Sequence, residues 1–319
     1  MKRLNQLLLI VAIYSVTIFA GCKIDNTSEP GVGSFTTLTN YLAVNNMDLP
    51  DILDGWIVAA PAPDDVATFI DTYHIIDLRS SFDYGTSHIE GAVNSTLSGI
   101  LTAANGVTKP ILVVCYTGQT ASHGVVGLRL SGHPDAKILK WGMSGWNSTL
   151  SAKWSSNTGN VGYDHVNWKA APGDLTPNAQ FDTPNLSTSA TEGAAILTER
   201  VTAMLGGGFS GIVNTDVLDA PANFFTNNYW DVIDVETYGN IADAYRVKSL
   251  TISNLNNLNP NQPVVTYCWT GQTSSMVTAY LTVLGYNAKS LKFGANGMIY
   301  DDLHTHKFTV PTNDLPVVN

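Results

Sequence analysis

Four-residue apolar runs punctuate this chain, and stretches of helical spacing lie between them. Ile111-Leu112-Val113-Val114 and Val264-Val265-Thr266-Tyr267 carry no polar alternation, the pattern of strands buried on both faces. Each run is followed by a short loop of small polar residues and then by a helix-like segment. Residues 64–78 and 219–235 are also alike: a helix-like stretch, then an apolar run closing on Asp77 in the first and on Asp234 in the second. Residues 192–205 have helical apolar spacing and stop at Gly206-Gly207-Gly208. Strands alternating with helices predict an α/β fold with a parallel sheet flanked by helices on both faces. In such sheets, sites lie at the carboxyl ends of strands.

The pattern is doubled. Cys115-Tyr116-Thr117-Gly118-Gln119-Thr120 and Cys268-Trp269-Thr270-Gly271-Gln272-Thr273 differ at one position, and each follows one of the two buried runs. These twelve residues are the candidate site. A cysteine at a strand end, before a loop that opens a helix, meets backbone N–H groups and a helix N-terminus. Both favour a thiolate, so a lowered thiol pKa is expected. Gly118 and Gly271 let each loop curl inward, and Thr120 and Thr273 offer a hydroxyl or start the helix. Two equivalent cysteines are expected on separate domains, which argues against a disulfide. The domains are placed at 35–150 and 191–304, with a connector over 151–190 and a tail over 305–319.

Composition narrows the partners. The chain has 319 residues, 44% of them hydrophobic and only 13% charged, with a formal net charge of −10. That balance disfavours nucleic acid and electrostatic docking on an anionic membrane. No His/Cys/Asp cluster has metal-ligand spacing and no Gly-rich loop resembles a nucleotide cradle, so neither metal nor cofactor is expected. The N-terminus is different. Lys2 and Arg3 precede an apolar run over 7–20 that ends in Ala20-Gly21-Cys22. This is a secretory signal in outline, too short for a comfortable transmembrane span. The ending resembles the lipobox of bacterial lipoproteins, with Phe19 at the usual Leu position. That implies a signal peptide over 1–21, lipidation of Cys22, a tether over 22–34 and anchoring in the bacterial cell envelope. Lys23 after the lipid cysteine favours the outer membrane.

The wider pattern resembles the rhodanese family in tandem. Asp77-Leu78-Arg79, Asp83-Tyr84 and His88-Ile89-Glu90-Gly91-Ala92 are similar to the family's Asp-x-Arg, acidic-aromatic and Gly-His-Ile-x-Gly-Ala elements, with Ser87 in place of Gly. Trp141-Gly142-Met143-Ser144-Gly145-Trp146 resembles its closing segment. The second half keeps the cysteine loop and Leu291-Lys292-Phe293-Gly294. It has Glu236 where the Arg is expected and lacks the histidine turn. The resemblance implies two rhodanese-like domains and a sulfurtransferase. Cys115 and Cys268 would be persulfide-forming nucleophiles, a sulfane compound the donor, and a thiol or other nucleophile the acceptor. The alternative is a non-catalytic sulfur- or redox-sensing or partner-binding module.

The related phosphatases carry Arg six residues after the cysteine. Ala121 and Ser274 stand there, which argues against a phosphatase. Neither loop has a charge, so anion binding rests on backbone dipoles. Asp77 and Asp234 are expected to accept hydrogen bonds at strand ends, Arg79 to pair with Asp83, His88 to hold a turn, and Trp141 and Trp146 to lie in the core or at the rim. His123 has Met276 as its counterpart and is not expected to be required.

Overall fold

The protein is described as a computed structural model over residues 33–319; the N-terminal apolar run, Cys22 and most of the tether lie outside the described residues. The first sheet contains β1 (Ile57–Val58), β2 (His74–Asp77), β3 (Val93–Asn94), β4 (Ile111–Val114) and β5 (Lys137–Leu139). All are parallel, in the order β1-β5-β4-β2-β3. After β6 (Trp168–Lys169) come β7 (Gly211–Ile212), β8 (Phe225–Asn228), β9 (Asn240–Ile241), β10 (Val264–Tyr267) and β11 (Ala288–Leu291). The second sheet is parallel in the order β7-β11-β10-β8, the first sheet's order without its fifth strand. Where β3 lies in the first sheet, the second has one parallel bridge, Asn227 to Tyr245. β9 pairs antiparallel with β6 of the connector instead.

Side-chain alternation along the strands explains the layers. Ile76, Val113 and Ile138 face one side of the first sheet; Ile75, Leu112, Val114 and Leu139 face the other. Phe225, Val264 and Ala288 of the second sheet join the same core as Ile76 and Val113, while Val265, Tyr267 and Leu291 face outward. The two sheets therefore share one central layer of helices, Ser34–Val44, Gln119–Leu130, Gly193–Gly206 and Gln272–Val283. Every residue of Gln119–Leu130 except Thr120 is buried, which is why that helix carries no polar stripe.

Both ends of the described part of the chain cross between the halves. Helix Ser34–Val44 packs on Gly193–Gly206, where a Cβ at Gly193 would press on the Tyr41 side chain. The Asp48 carboxylate, just after that helix, accepts from Ile252 N–H at 3.1 Å. The C-terminal segment returns to the first half. Val318 bridges to His88, Leu315 N–H donates to Trp146 O at 3.1 Å, and Trp146 Nε1 donates to Pro316 O at 2.8 Å.

Candidate active site

β4 and β10 are central strands of their sheets, and Cys115 and Cys268 are the residues that follow them. Each strand runs into a loop whose glycine is left-handed, Gly118 at φ 81° and Gly271 at φ 76°, and these glycines cap the two central helices. The turn reverses the chain so that backbone N–H groups point at the sulfur. Cys115 Sγ accepts from Gly118 N–H at 3.1 Å and from Ala121 N–H at 3.4 Å. Cys268 Sγ accepts from Ser274 N–H at 3.3 Å and lies 3.5 Å from Ser274 Oγ. Ser274 Oγ is in turn 2.8 Å from Ser290 Oγ.

A second turn closes each loop from behind. Cys115 O accepts from Met143 N–H at 2.8 Å, and Cys268 O from Ala295 N–H at 3.0 Å. Gly142 and Gly294 press against these carbonyls so closely that a Cβ at either would overlap the cysteine oxygen. Both are left-handed, after Trp141 and Phe293 with φ of 67° and 63°. The repeated Gly after an aromatic residue is the sequence signal for this contact.

At Cys115 electrostatics runs against the expected lowering of the thiol pKa. Cys115 is 5% exposed and Cys268 3%. For Cys115, burial pushes the thiol up from its ordinary value, and the N–H groups of Ala121, Thr117, Gly118 and Thr120 offset only part of this. The N–H groups lie around the sulfur, but burial of the thiol decides the sign.

The surroundings of the two loops differ. In the first half Asp77, at the end of β2, holds Arg79 in a buried ion pair, with Nη2 to Oδ2 at 2.6 Å. Arg79 Nη2 also donates to Ser87 O at 2.5 Å. Arg79 therefore pairs with Asp77 and not with Asp83. Asp83 accepts from Tyr116 OH at 2.8 Å and from Ser80 Oγ at 2.6 Å. The Arg79 guanidinium lies 5.2 Å from the Tyr116 ring centroid and Lys153 Nζ 5.9 Å from it.

In the second half the strand ends at Asn228, which pairs with Tyr267 as Asp77 pairs with Val114. Asp234 is not a strand end. It lies in helix Val232–Tyr238, in a capping box with Asp231, as Asp83 lies three residues past the cap Ser80. Trp230 thus takes the place of Arg79. Its N–H donates to Asn228 Oδ1 at 2.9 Å, as Arg79 N–H does to Asp77 Oδ1 at 2.9 Å. Its ring stacks on Trp269 at 4.4 Å and 15°.

The two loops face each other and touch through their glutamines. Gln272 Nε2 donates to Thr117 O at 2.9 Å, and Gln119 Oε1 accepts from Phe293 N–H at 2.9 Å. Gln119 Nε2 also donates to Thr117 Oγ1 at 3.2 Å, and Thr270 Oγ1 accepts from Gln272 N–H at 3.1 Å. Thr120 and Thr273 sit half-buried in the first helical turns. Trp154 of the connector lies between the loops. It stacks on Phe308 at 5.1 Å, meets Trp141 and Phe293 edge-on, and donates from Nε1 to Thr117 O at 3.3 Å. In the tail, His306 stacks on Trp269 at 5.5 Å.

Sequence reasoning singled out neither Trp154 nor Ser274 nor Asn228 as part of the site. Position six after the cysteine was informative for what it contacts as well as for lacking Arg. His88 stacks on Tyr84 at 3.9 Å in the expected turn, and Trp146 is fully buried. Among the described residues no group of His, Cys, Asp or Glu could hold a metal ion, and no helix is long and apolar enough to cross a membrane.

These features define a class: a parallel α/β protein with a cysteine held in an N–H-lined loop at a central strand end. The family described as rhodanese-like domain matches residues 62–149. The chain is 30% identical over 82 residues to a thiosulfate sulfurtransferase GlpE of Pseudomonas fluorescens, covering 25% of this chain and 74% of that protein. A second strain's GlpE is 29% identical over 85 residues, covering 26% and 77%. A thiosulfate sulfurtransferase structure from Pseudomonas aeruginosa aligns over 87% of this chain and 48% of its own, at 14% identity and a TM-score of 0.29. The chain belongs to the rhodanese-fold sulfurtransferase family.

Proposed function

We propose that this protein moves sulfane sulfur through a persulfide on Cys115, with Cys268 as a second, weaker site. The observation that carries this is the Cys115 sulfur under two backbone N–H donors at the end of β4. The thiol gives its proton to solvent. The thiolate attacks the outer sulfur of a donor such as thiosulfate; a new S–S bond forms as the donor's S–S bond breaks, and the donor leaves as sulfite or a thiolate. The persulfide Cys–S–S⁻ keeps its charge beside the N–H groups. An acceptor thiolate then attacks the outer sulfur and releases the Cys115 thiolate. The rhodanese-like match and the similarity to thiosulfate sulfurtransferases support this chemistry.

The same reading takes the chain as a lipoprotein of the cell envelope, exported by residues 1–21 and acylated at Cys22. Cys22→Ser should release it from membranes or block its processing. The deep burial of both thiols favours a second reading, a sulfur-sensing or partner-binding module that is modified without turnover. Steady-state transfer from several sulfane donors to a thiol separates the two. Cys115→Ser should abolish most turnover and Cys268→Ser less. A larger loss from Cys268→Ser across donors reverses the assignment, and one modification without turnover supports the sensor.

A further inference from the structure

Gln272 lies on the second half of the molecule, yet its side chain reaches the first cysteine loop. Its Nε2 donates at 2.9 Å to Thr117 O, the carbonyl of the peptide bond whose other end is Gly118 N–H. A trans peptide points its C=O and N–H in opposite directions. Holding the oxygen on one side therefore aims the hydrogen on the other. That hydrogen is directed at Cys115 Sγ, 3.1 Å from the Gly118 nitrogen. Trp154 Nε1 donates to the same carbonyl at 3.3 Å. Donation to a carbonyl also polarises its peptide and strengthens the N–H as a donor.

The contact is built into the packing. Gln272 is buried, and a Cβ at Gly118 would collide with its amide nitrogen, so the glycine leaves the room that the amide occupies. The relation is not mirrored. Gln119, the counterpart of Gln272, gives its Nε2 to its own Thr117 Oγ1 and accepts from Phe293 N–H with its Oε1. Cys268 Sγ takes its N–H from Ser274.

We propose that Gln272 is a positioning residue for Cys115, acting across the two halves through the Thr117–Gly118 peptide. The thiolate-stabilising loop of the first half is thus completed by the second, and Trp154 is the supporting donor. This rests on Cys115 being the nucleophile, and it gives the second half a role in the chemistry of the first that does not need sulfur on Cys268. It also gives a role to the buried amide at the fifth position of the second loop.

Alkylation of the full chain by iodoacetamide over a pH series, with each cysteine followed by peptide mass spectrometry, tests this without any sulfur donor. Failure of the sulfurtransferase reading would leave the result untouched. Gln272→Glu keeps the size and removes the donor; Gln272→Ala removes the contact. Both should slow Cys115 at neutral pH by about three- to tenfold and raise the pH midpoint of its reaction by about half to one unit, the scale of one hydrogen bond. Cys268 should keep its midpoint. Trp154→Phe should slow Cys115 by a smaller factor. A merely structural role gives the opposite sign, because loosening the interface exposes both buried thiols and speeds both. Where Gln272→Ala fails to fold, by circular dichroism, Gln272→Glu and Trp154→Phe carry the test. An unchanged or faster Cys115 in the folded variants overturns the proposal, as does a slowing confined to Cys268.

Discussion

Single residues decide how each sulfur is held. Gly118 has φ 81° and abuts Gln272, so Gly118→Ala meets left-handed strain of about 1–2 kcal/mol plus a displaced amide. Its thermal midpoint should fall by several degrees, and a midpoint within one degree of the parent's would show that the loop relaxes freely. Ser274 is the only side chain that hydrogen-bonds to a cysteine sulfur among the described residues. Ser274→Ala should change the alkylation rate of Cys268 and leave Cys115 alone. The Cys115 pKa is raised by burial, so the neutral thiol dominates at pH 7. Its alkylation there should be slower than that of a free thiol peptide and should climb steeply above the ordinary value of about 8.5. The cysteine and glycine positions were legible because the repeat displays them. The sign of the shift was not, because it depends on how much of the molecule covers the loop.

At the scale of elements, unbroken apolar runs made β4 and β10 readable, and the residue after each was readable as a strand-end cysteine. β8 was not. Its sequence is Phe225-Thr226-Asn227-Asn228, and Trp230-Asp231-Val232-Ile233 nearby looks more strand-like. Its polar residues are held through their oxygens: Asn227 Oδ1 accepts from the distant Val247 N–H at 2.8 Å and Asn228 Oδ1 from the nearby Trp230 N–H at 2.9 Å, while Thr226 Oγ1 and the two amide nitrogens are buried without a partner. Val232 and Ile233 sit exposed on the helix that follows. In the first half the corresponding strand end is fixed by charge. Asp77→Ala leaves the Arg79 guanidinium buried without its carboxylate, which should cost about 3–5 kcal/mol. Urea unfolding should show that loss, and a loss under 1 kcal/mol would mean that Ser87 O and solvent suffice for Arg79.

At the scale of the whole molecule the halves share one core layer between two sheets, with a smaller core on the outer face of each, so they are not independent. A fragment ending near residue 150 would expose helix Gln119–Leu130 and should not fold alone; the full chain should unfold in a single transition. His123 lies in that shared layer, where its Nε2 accepts from Ser210 N–H at 3.5 Å. Burial lowers its pKa from 6.5 to about 3. The folded state thus favours the neutral ring. The stability this gives is present above pH 6.5 and is lost as pH falls toward 3. Between pH 7 and pH 4 the loss should be on the order of 3 kcal/mol, and His123→Gln should remove that part of the acid sensitivity. The shared core also explains why two repeated loops that look independent in the sequence face each other, with Trp154 of the connector and Phe308 of the tail filling the space between. The central claim is that Cys115 is the sulfur-accepting nucleophile. The direct measurement is the intact mass and peptide map of the protein after brief exposure to a sulfane donor. One added sulfur atom on the Cys115 peptide, lost on addition of a thiol and absent in Cys115→Ser, is the predicted result. No sulfur on Cys115, or transfer that persists in the Cys115→Ser, Cys268→Ser double variant, would contradict it.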